Sequence, residues 1–217
     1  MRRLKPSKRW MEKRGGASGG GAGNSNTTNS NQVPSTGGAS NTTPAPAGTR
    51  RFTATSGADV TFSQRQAWSS AYRDLSSYSL SSEVAGRLSD NEGIGSSILR
   101  IAATNPSRVR AVTDADGNLQ AAAVISREVD RIHVDLLATG PWNITGNDPR
   151  SVKGAGKAMM AEIVRESLRL GNDGQVELYA LPGARGFYES IGFRSTGGGD
   201  YFLTAQAARN FLETQGG

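Results

Sequence analysis

Cysteine is absent from the 217 residues, and histidine occurs once. The first absence excludes a disulfide framework, thiolate-bound zinc and a cysteine nucleophile, and no metal centre is expected. No apolar run approaches the ~20 residues of a membrane-crossing helix. The basic first residues are not followed by the apolar core of a secretory signal. The expectation is a soluble protein, cytoplasmic, with a translocated effector as a variant of that reading. Aromatic residues make up only 6% of the chain, and residues 15–48 hold almost nothing able to line a core. Packable sequence begins near Arg50 and suffices for one modest domain.

The net charge of +6 invites a polyanion-binding reading, but the charge is unevenly placed. Residues 1–51 carry nine basic residues against Glu12, a net +8, while the remainder carries 16 basic and 18 acidic residues, a net −2. The folded body offers no overall electrostatic footprint for nucleic acid. Residues 1–50 divide into a cationic stretch, Met1–Arg14, and a Gly/Ser/Asn/Thr/Ala/Pro segment, Gly15–Gly48. Such a composition cannot bury enough surface to offset its ordering entropy. It is expected to be a disordered tail. The sharper reading of its basic end is contact with nucleic acid, lipid headgroups or a sorting receptor. Residues 51–217 are expected to form the domain.

Within that domain the pattern alternates. Arg51–Phe62 can hold a first strand. Ser63–Ser79 places Trp68, Tyr72 and Leu75 at helical spacing with Ser63 as N-cap. Ser82–Leu88 and Ser96–Ala103 read as two short helices around a break at Gly93-Ile94-Gly95. Arg108–Thr113 and Leu119–Ser126 flank a turn cluster, Asp114–Asn118, and form a hairpin. Arg131–Thr139 is a third strand, with Ile132, Val134 and Leu136 on one face. A helix over Ala155–Leu170 puts Met159, Met160, Ile163, Val164 and Leu168 on one side, with Glu166 among the charged residues opposite. Val176–Ala180 is a strand, Ala184–Ser190 a short helix, Tyr201–Leu203 a last strand, and Thr204 caps a C-terminal helix. The class is α/β, mixed α+β, built on a central mixed sheet flanked by helices.

The segment Lys153-Gly154-Ala155-Gly156-Lys157 opens the long helix. A helix start leaves backbone N–H groups unpaired at the positive end of the macrodipole, and glycines let a phosphate approach them. Arg150, Lys153 and Lys157 add charge. Two phosphate-binding templates fail here. A P-loop requires Gly at 151 and Ser or Thr at 158, where the chain has Ser151 and Ala158. A dinucleotide fingerprint requires Gly at 159, which is Met159.

The pattern instead resembles the Gcn5-related N-acetyltransferase superfamily, whose central helix opens with Arg/Gln-x-x-Gly-x-Gly/Ala. Gly154 and Gly156 match, and Ser151 stands where Arg or Gln is usual. Downstream, Gly186-Phe187-Tyr188-Glu189-Ser190-Ile191-Gly192-Phe193 resembles the family's Phe-Tyr-Glu-x-x-Gly-Phe segment. The resemblance spans roughly residues 52–203. It implies a sheet in which the strands flanking the central helix splay apart, and transfer of an acyl group, acetyl by expectation, from acyl-CoA to an amine.

On that resemblance, acetyl-CoA or another acyl-CoA is held by Leu136–Thr139, in particular Leu137, Ala138 and Thr139, and by Lys153, Gly154, Ala155, Gly156 and Lys157. Tyr188 is the candidate acid for the departing thiolate; the plainer reading packs its ring beside Phe187. Glu189 reads as structural. His133 and Asp135, on one face of a strand by alternation, are candidate bases for the amine, with Glu177 a third and a solvent-relayed proton a fourth. The family's Asn after the fifth strand is replaced here by Leu181-Pro182. Trp142 and Asn143 either shape the acceptor pocket or anchor the loop. The acceptor is a small molecule or a protein. The alternative function is a non-catalytic acetyltransferase-like binding module with a basic interaction tail.

Overall fold

Alternating apolar residues that face two ways must be covered on two sides, and the chain meets that demand with one sheet between two helical layers. The computed structural model describes residues 52–145 and 148–215. The expected tail and its boundary at residue 50 lie outside the described residues. In chain order the elements are β1 (Thr53–Ser56), α1 (Phe62–Ser76), α2 (Ser82–Thr104), β2 (Val109–Thr113), β3 (Leu119–Arg127), β4 (Ile132–Thr139), α3 (Trp142–Thr145), α4 (Ala155–Arg169), β5 (Val176–Tyr179), α5 (Arg185–Ser190), β6 (Arg194–Gly197), β7 (Asp200–Leu203) and α6 (Ala205–Thr214). The seven strands form a single sheet in the order β1-β2-β3-β4-β5-β7-β6. Every neighbouring pair is antiparallel except β4 and β5. The mixed α/β class read from the sequence is the class observed.

β3 is the middle of the sandwich. Ala121, Ala123 and Ile125 pack in a core with α4, α5 and α6, while Ala122 and Val124 join the core beneath α1 and α2. Its run of small side chains lets both helical layers approach the sheet closely. Trp68 of α1 fixes the register of its layer by donating its indole N–H to the Leu119 carbonyl.

Several local expectations are corrected. α1 begins at Phe62, and Thr61 is its cap. Thr61 Oγ1 accepts from the Gln64 N–H, and Gln64 Oε1 accepts from the Thr61 N–H, a reciprocal box that Ser63 cannot supply two residues too late. The two short helices expected around Gly93–Gly95 are one helix, α2. Gly95 is there for space and does not break it: a Cβ at that position would overlap the Tyr72 hydroxyl. The glycine-rich stretch before the last strand contains an additional edge strand, β6, paired with β7.

On α4, Leu168 is 41% exposed while Glu166 is 4% exposed. The buried face continues from Met159 and Ile163 to Glu166, and from Met160 and Val164 to Ser167, at steps of three and four, so Leu168 falls one step around the helix. Burial of Glu166 is made tolerable by two guanidinium groups. Arg110 of β2 grips its carboxylate with Nε and Nη2, the latter at 2.6 Å, and Arg127 of β3 adds a contact at 2.8 Å. Burial alone favours the neutral acid, but the hydrogen bonds and charges of Arg110 and Arg127 together outweigh it and hold the carboxyl below its ordinary range.

Because that folded-state value is depressed, the associated stability is complete above the unfolded glutamate value of about 4.3 and is lost as pH falls through the folded value. Glu166→Gln should therefore lower stability at pH 7 by about 3 kcal/mol. It should also flatten the decline of the thermal midpoint on acidification below about pH 4.5, measured by calorimetry across a pH series.

Candidate functional site

Parallel strands β4 and β5 are in register at only three pairs, Ile132 with Val176, His133 with Glu177 and Val134 with Leu178. The separation begins at a bulge. On the β3 side, Ile125 pairs with Val134 and Val124 with Leu136, so Asp135 is the extra residue and the alternation reverses past it. This corrects the expected face. Ile132 and Val134 pack in the α4-side core, whereas Leu136 packs with the α1–α2 layer.

The far end of β4 therefore runs free of β5. The Gly140 N–H donates to the Gln120 carbonyl at 2.8 Å, which makes that pair a hydrogen-bonded one. By antiparallel alternation, Ala138 bonds β3 while Leu137 and Thr139 turn their N–H and C=O groups toward the gap. The Thr139 carbonyl accepts from Asn91 Nδ2 at 2.9 Å, in keeping with that direction. Asn91, from α2, also donates to the Tyr72 hydroxyl at 2.8 Å, and burial drives the Tyr72 phenol well above its ordinary value. These two residues brace the splayed end from the α1–α2 side.

The start of α4 closes the other end of the gap. Gly154 has φ of 97°, a left-handed conformation that side chains resist, and among the described residues only Phe52 comes within 4 Å of its missing Cβ, at 3.8 Å. The first helical bond runs from the Ala158 N–H to the Gly154 carbonyl, so Ala155, Gly156 and Lys157 have no helical acceptor for their N–H groups. Lys153 and Lys157 are exposed beside them. Gly156 serves a different end from Gly154. A Cβ there would stand 3.3 Å from Phe187 Cζ and 3.7 Å from Thr139 Cγ2. The glycine is the point where α4, the tip of β4 and α5 converge. The structure thus sets the tip of β4 at Thr139 beside the start of α4 at Gly156, while Ala138 bonds β3 and packs in the α1–α2 core.

Tyr188 lies next to that convergence. Its ring meets Phe187 edge-on at 5.0 Å and Phe193 at 5.6 Å, and only 7% of the residue is exposed. Among the described residues its hydroxyl makes no hydrogen bond. Burial pushes its phenol up to about 12. Such a group stays protonated across the physiological range and can donate. Glu189 accepts from the Tyr201 hydroxyl at 2.7 Å, a tie between α5 and β7.

His133 and Asp135 meet at Ser126, the cross-strand partner of His133 and a donor to Asp135 Oδ2 at 2.8 Å. Asp135 also takes a 3.0 Å ion pair from Arg108, and Glu177 takes one of 3.0 Å from Arg131. Both carboxylates are thus committed, and His133 is half-buried between Ser126 and Glu177. Arg150 is committed as well: Asp148 holds it at 2.6 Å, and its guanidinium stacks 4.6 Å over Trp142. That pairing, through hydrogen bond and charge, keeps the Asp148 carboxyl below its ordinary range.

Composition and spacing did not single out Gln120, Asn91 or Tyr72 as a supporting frame. Gln120 carried a signal all the same, as a lone amide in the apolar run Leu119–Ile125. A cavity of about 450 Å³ lies elsewhere, lined by Ser56, Arg110, Arg127, Glu166 and Arg169 among others. It sits at the opposite end of α4, and its guanidinium groups already engage Glu166 and Glu162. The tip of β4 and the start of α4 are the candidate site.

No protein-family model matches the chain, and no curated protein is similar to it at a significant level. Among solved structures, the chain is similar to a putative acetyltransferase from Exiguobacterium sp. 255-15, with 16% identity, 73% of this chain and 97% of that one covered, and a TM-score of 0.43. It is similar to the PaiA N-acetyltransferase from Thermoplasma acidophilum in complex with coenzyme A, at 17% identity, with 70% and 96% covered and a TM-score of 0.38. A third likeness is to nourseothricin acetyltransferase, at 18% identity over 44% of this chain, with a TM-score of 0.33; the chain spans 61% of that protein's length.

The environment of Tyr188 has a direct spectroscopic consequence. In an ultraviolet titration, the difference between the wild-type protein and Tyr188→Phe should ionise with a midpoint about 12, where an exposed tyrosine would give about 10. A midpoint near 10 would place the ring in water.

Proposed function

We propose that the chain is an acyl-CoA-dependent N-acyltransferase of the Gcn5-related superfamily, with acetyl-CoA as donor and an amine as acceptor. The observation that carries this reading is the splayed end of β4 facing a helix start with unpaired N–H groups. An extended amide-bearing arm needs free strand edges, and a pyrophosphate needs clustered N–H donors; the cleft supplies both in line. Leu137 and Thr139 would hold the arm's amides, and the N–H groups of Ala155, Gly156 and Lys157 the pyrophosphate, with Lys153 and Lys157 adding charge. Gly154 leaves room for the approach. Ser151 and the committed Arg150 mean that these backbone donors carry more of the phosphate recognition than an arginine would.

The bound donor supplies an activated thioester. The chain's own part is to position it, to take a proton from the amine and to return one to the thiolate. Tyr188 suits the second task, because its hydroxyl is protonated, without a hydrogen-bond partner among the described residues, and beside the tip of β4 and the start of α4. For the first, His133 is favoured over Asp135 and Glu177, whose carboxylates are held by Arg108 and Arg131. It stands on the face of β4 away from α4, so an amine would enter from the side opposite the donor. The residues 1–50 remain proposed as a separate tail.

Acetyl-CoA should raise the thermal midpoint, by an amount growing with ligand concentration. Lys153→Glu with Lys157→Glu should reduce that rise without changing the midpoint of the free protein, since both side chains are exposed. Tyr188→Phe should lower kcat roughly 10²-fold or more with an unchanged dissociation constant for the donor. Absence of any thermal shift with acetyl-CoA and with longer acyl-CoAs would rule out the proposal.

A further inference from the structure

The loop from β4 to α4 contains α3 and ends in Lys153 and Gly154, which lead into the helix start. Something must fix where its last residues deliver the helix start. One side chain touches it at three places. Gln120 of β3 is fully buried, and all four hydrogen-bonding positions of its amide are used. Its Oε1 accepts from Trp142 Nε1 at 3.1 Å and from Asn143 Nδ2 at 2.9 Å, at the loop's entry. Its Nε2 donates to the Arg150 carbonyl at 2.9 Å, at the loop's exit, and to Asp114 Oδ2 at 2.6 Å, in the β2–β3 turn. Asn143 passes the link onward, because its Oδ1 accepts from the Val152 N–H at 2.8 Å. Val152 is two residues from Gly154.

Entry and exit are thus drawn together across one buried amide, and that amide is anchored in turn. Asp114 is held by Asn118 and by its own turn; burial disfavours its charge, but these hydrogen bonds and that from Gln120 outweigh the penalty and keep it ionised. A carboxylate at 120 would face Asp114 and lose both donors; an apolar residue would orphan the Trp142 and Asn143 donors. Neither preserves the loop.

We infer that Gln120 is a positioning residue for the phosphate-facing helix start: it acts through Asn143, Val152 and Arg150 and touches no ligand itself. This rests on the acyl-CoA reading of the cleft. A purely structural glutamine would weaken the fold and affect every ligand equally. A positioning glutamine affects only the part of the ligand that the helix start holds, the phosphates.

The test compares CoA with pantetheine, which lacks the phosphates, as ligands of wild type, Gln120→Met and Asn143→Ala, by calorimetric titration. Backbone hydrogen exchange at Val152 is read alongside. In wild type, CoA should bind more tightly than pantetheine. In both variants CoA affinity should fall about tenfold or more, pantetheine affinity should change less than twofold, and exchange at Val152 should accelerate. Should Gln120→Met fail to fold, Asn143→Ala, at a half-buried position of α3, carries the comparison. Equal losses for both ligands, or an unchanged CoA affinity in a folded variant, overturn the assignment while leaving the acyl-CoA reading intact. A wild-type protein that binds neither ligand overturns both.

Discussion

The structure turns on a pairing that stops. Two parallel strands at the centre of a sheet would ordinarily satisfy one another along their whole length, because a buried unpaired peptide group is costly. β4 and β5 do so for three residues, then part at the extra residue Asp135. The backbone groups released there need other partners, and the molecule around them is arranged accordingly. Asn91 takes the Thr139 carbonyl from one side, and Phe187 fills the space against Gly156 from the other. The reading of function follows from those unsatisfied groups more than from any single side chain.

Each neighbouring element can be understood as holding that junction in shape. Tyr72 and Asn91 are bonded to one another and Asn91 to β4, so α1 and α2 act as a brace against its free end. Gly95 exists in α2 because the Tyr72 hydroxyl occupies the space a side chain would need. On the opposite face, α5 is held to β7 by Glu189 and Tyr201, which keeps Phe187 and Tyr188 beside the junction. These contacts are polar bonds in partly apolar surroundings, where a missing partner costs more than a present one contributes.

Much of this was legible in the residues. The hairpin around Asp114–Asn118, the capped helix after Thr204 and the alternating strands follow from local chemistry, and the two resemblance motifs fall on the start of α4 and on α5. What escaped was whatever depended on contacts distant in sequence. Gly93 and Gly95 look like a break because nothing nearby shows Tyr72 lying above them. Glu166 looks like solvent-facing charge until Arg110 and Arg127, from two other strands, are brought beneath it. The bulge at Asp135 is invisible to a period of two, and it moved Leu136 to the other face. Ser63 was a reasonable cap, displaced by Thr61 only because Gln64 could answer it. The candidate site was readable as a list of residues; the braces behind it were not.

The carboxylate of Glu166 has one more effect, which concerns angle. The inner face of α4 is otherwise made of Met159, Met160, Ile163 and Val164, side chains that pack without a strong preference for one rotational setting of the helix. A charge clasped by arginines from β2 and β3 admits only one. A helix is stiff about its axis, so a setting fixed in its last turns is carried to its first. The directions in which Ala155, Gly156 and Lys157 aim their N–H groups are therefore chosen partly at the far end of the same rod, by an ion pair remote from them.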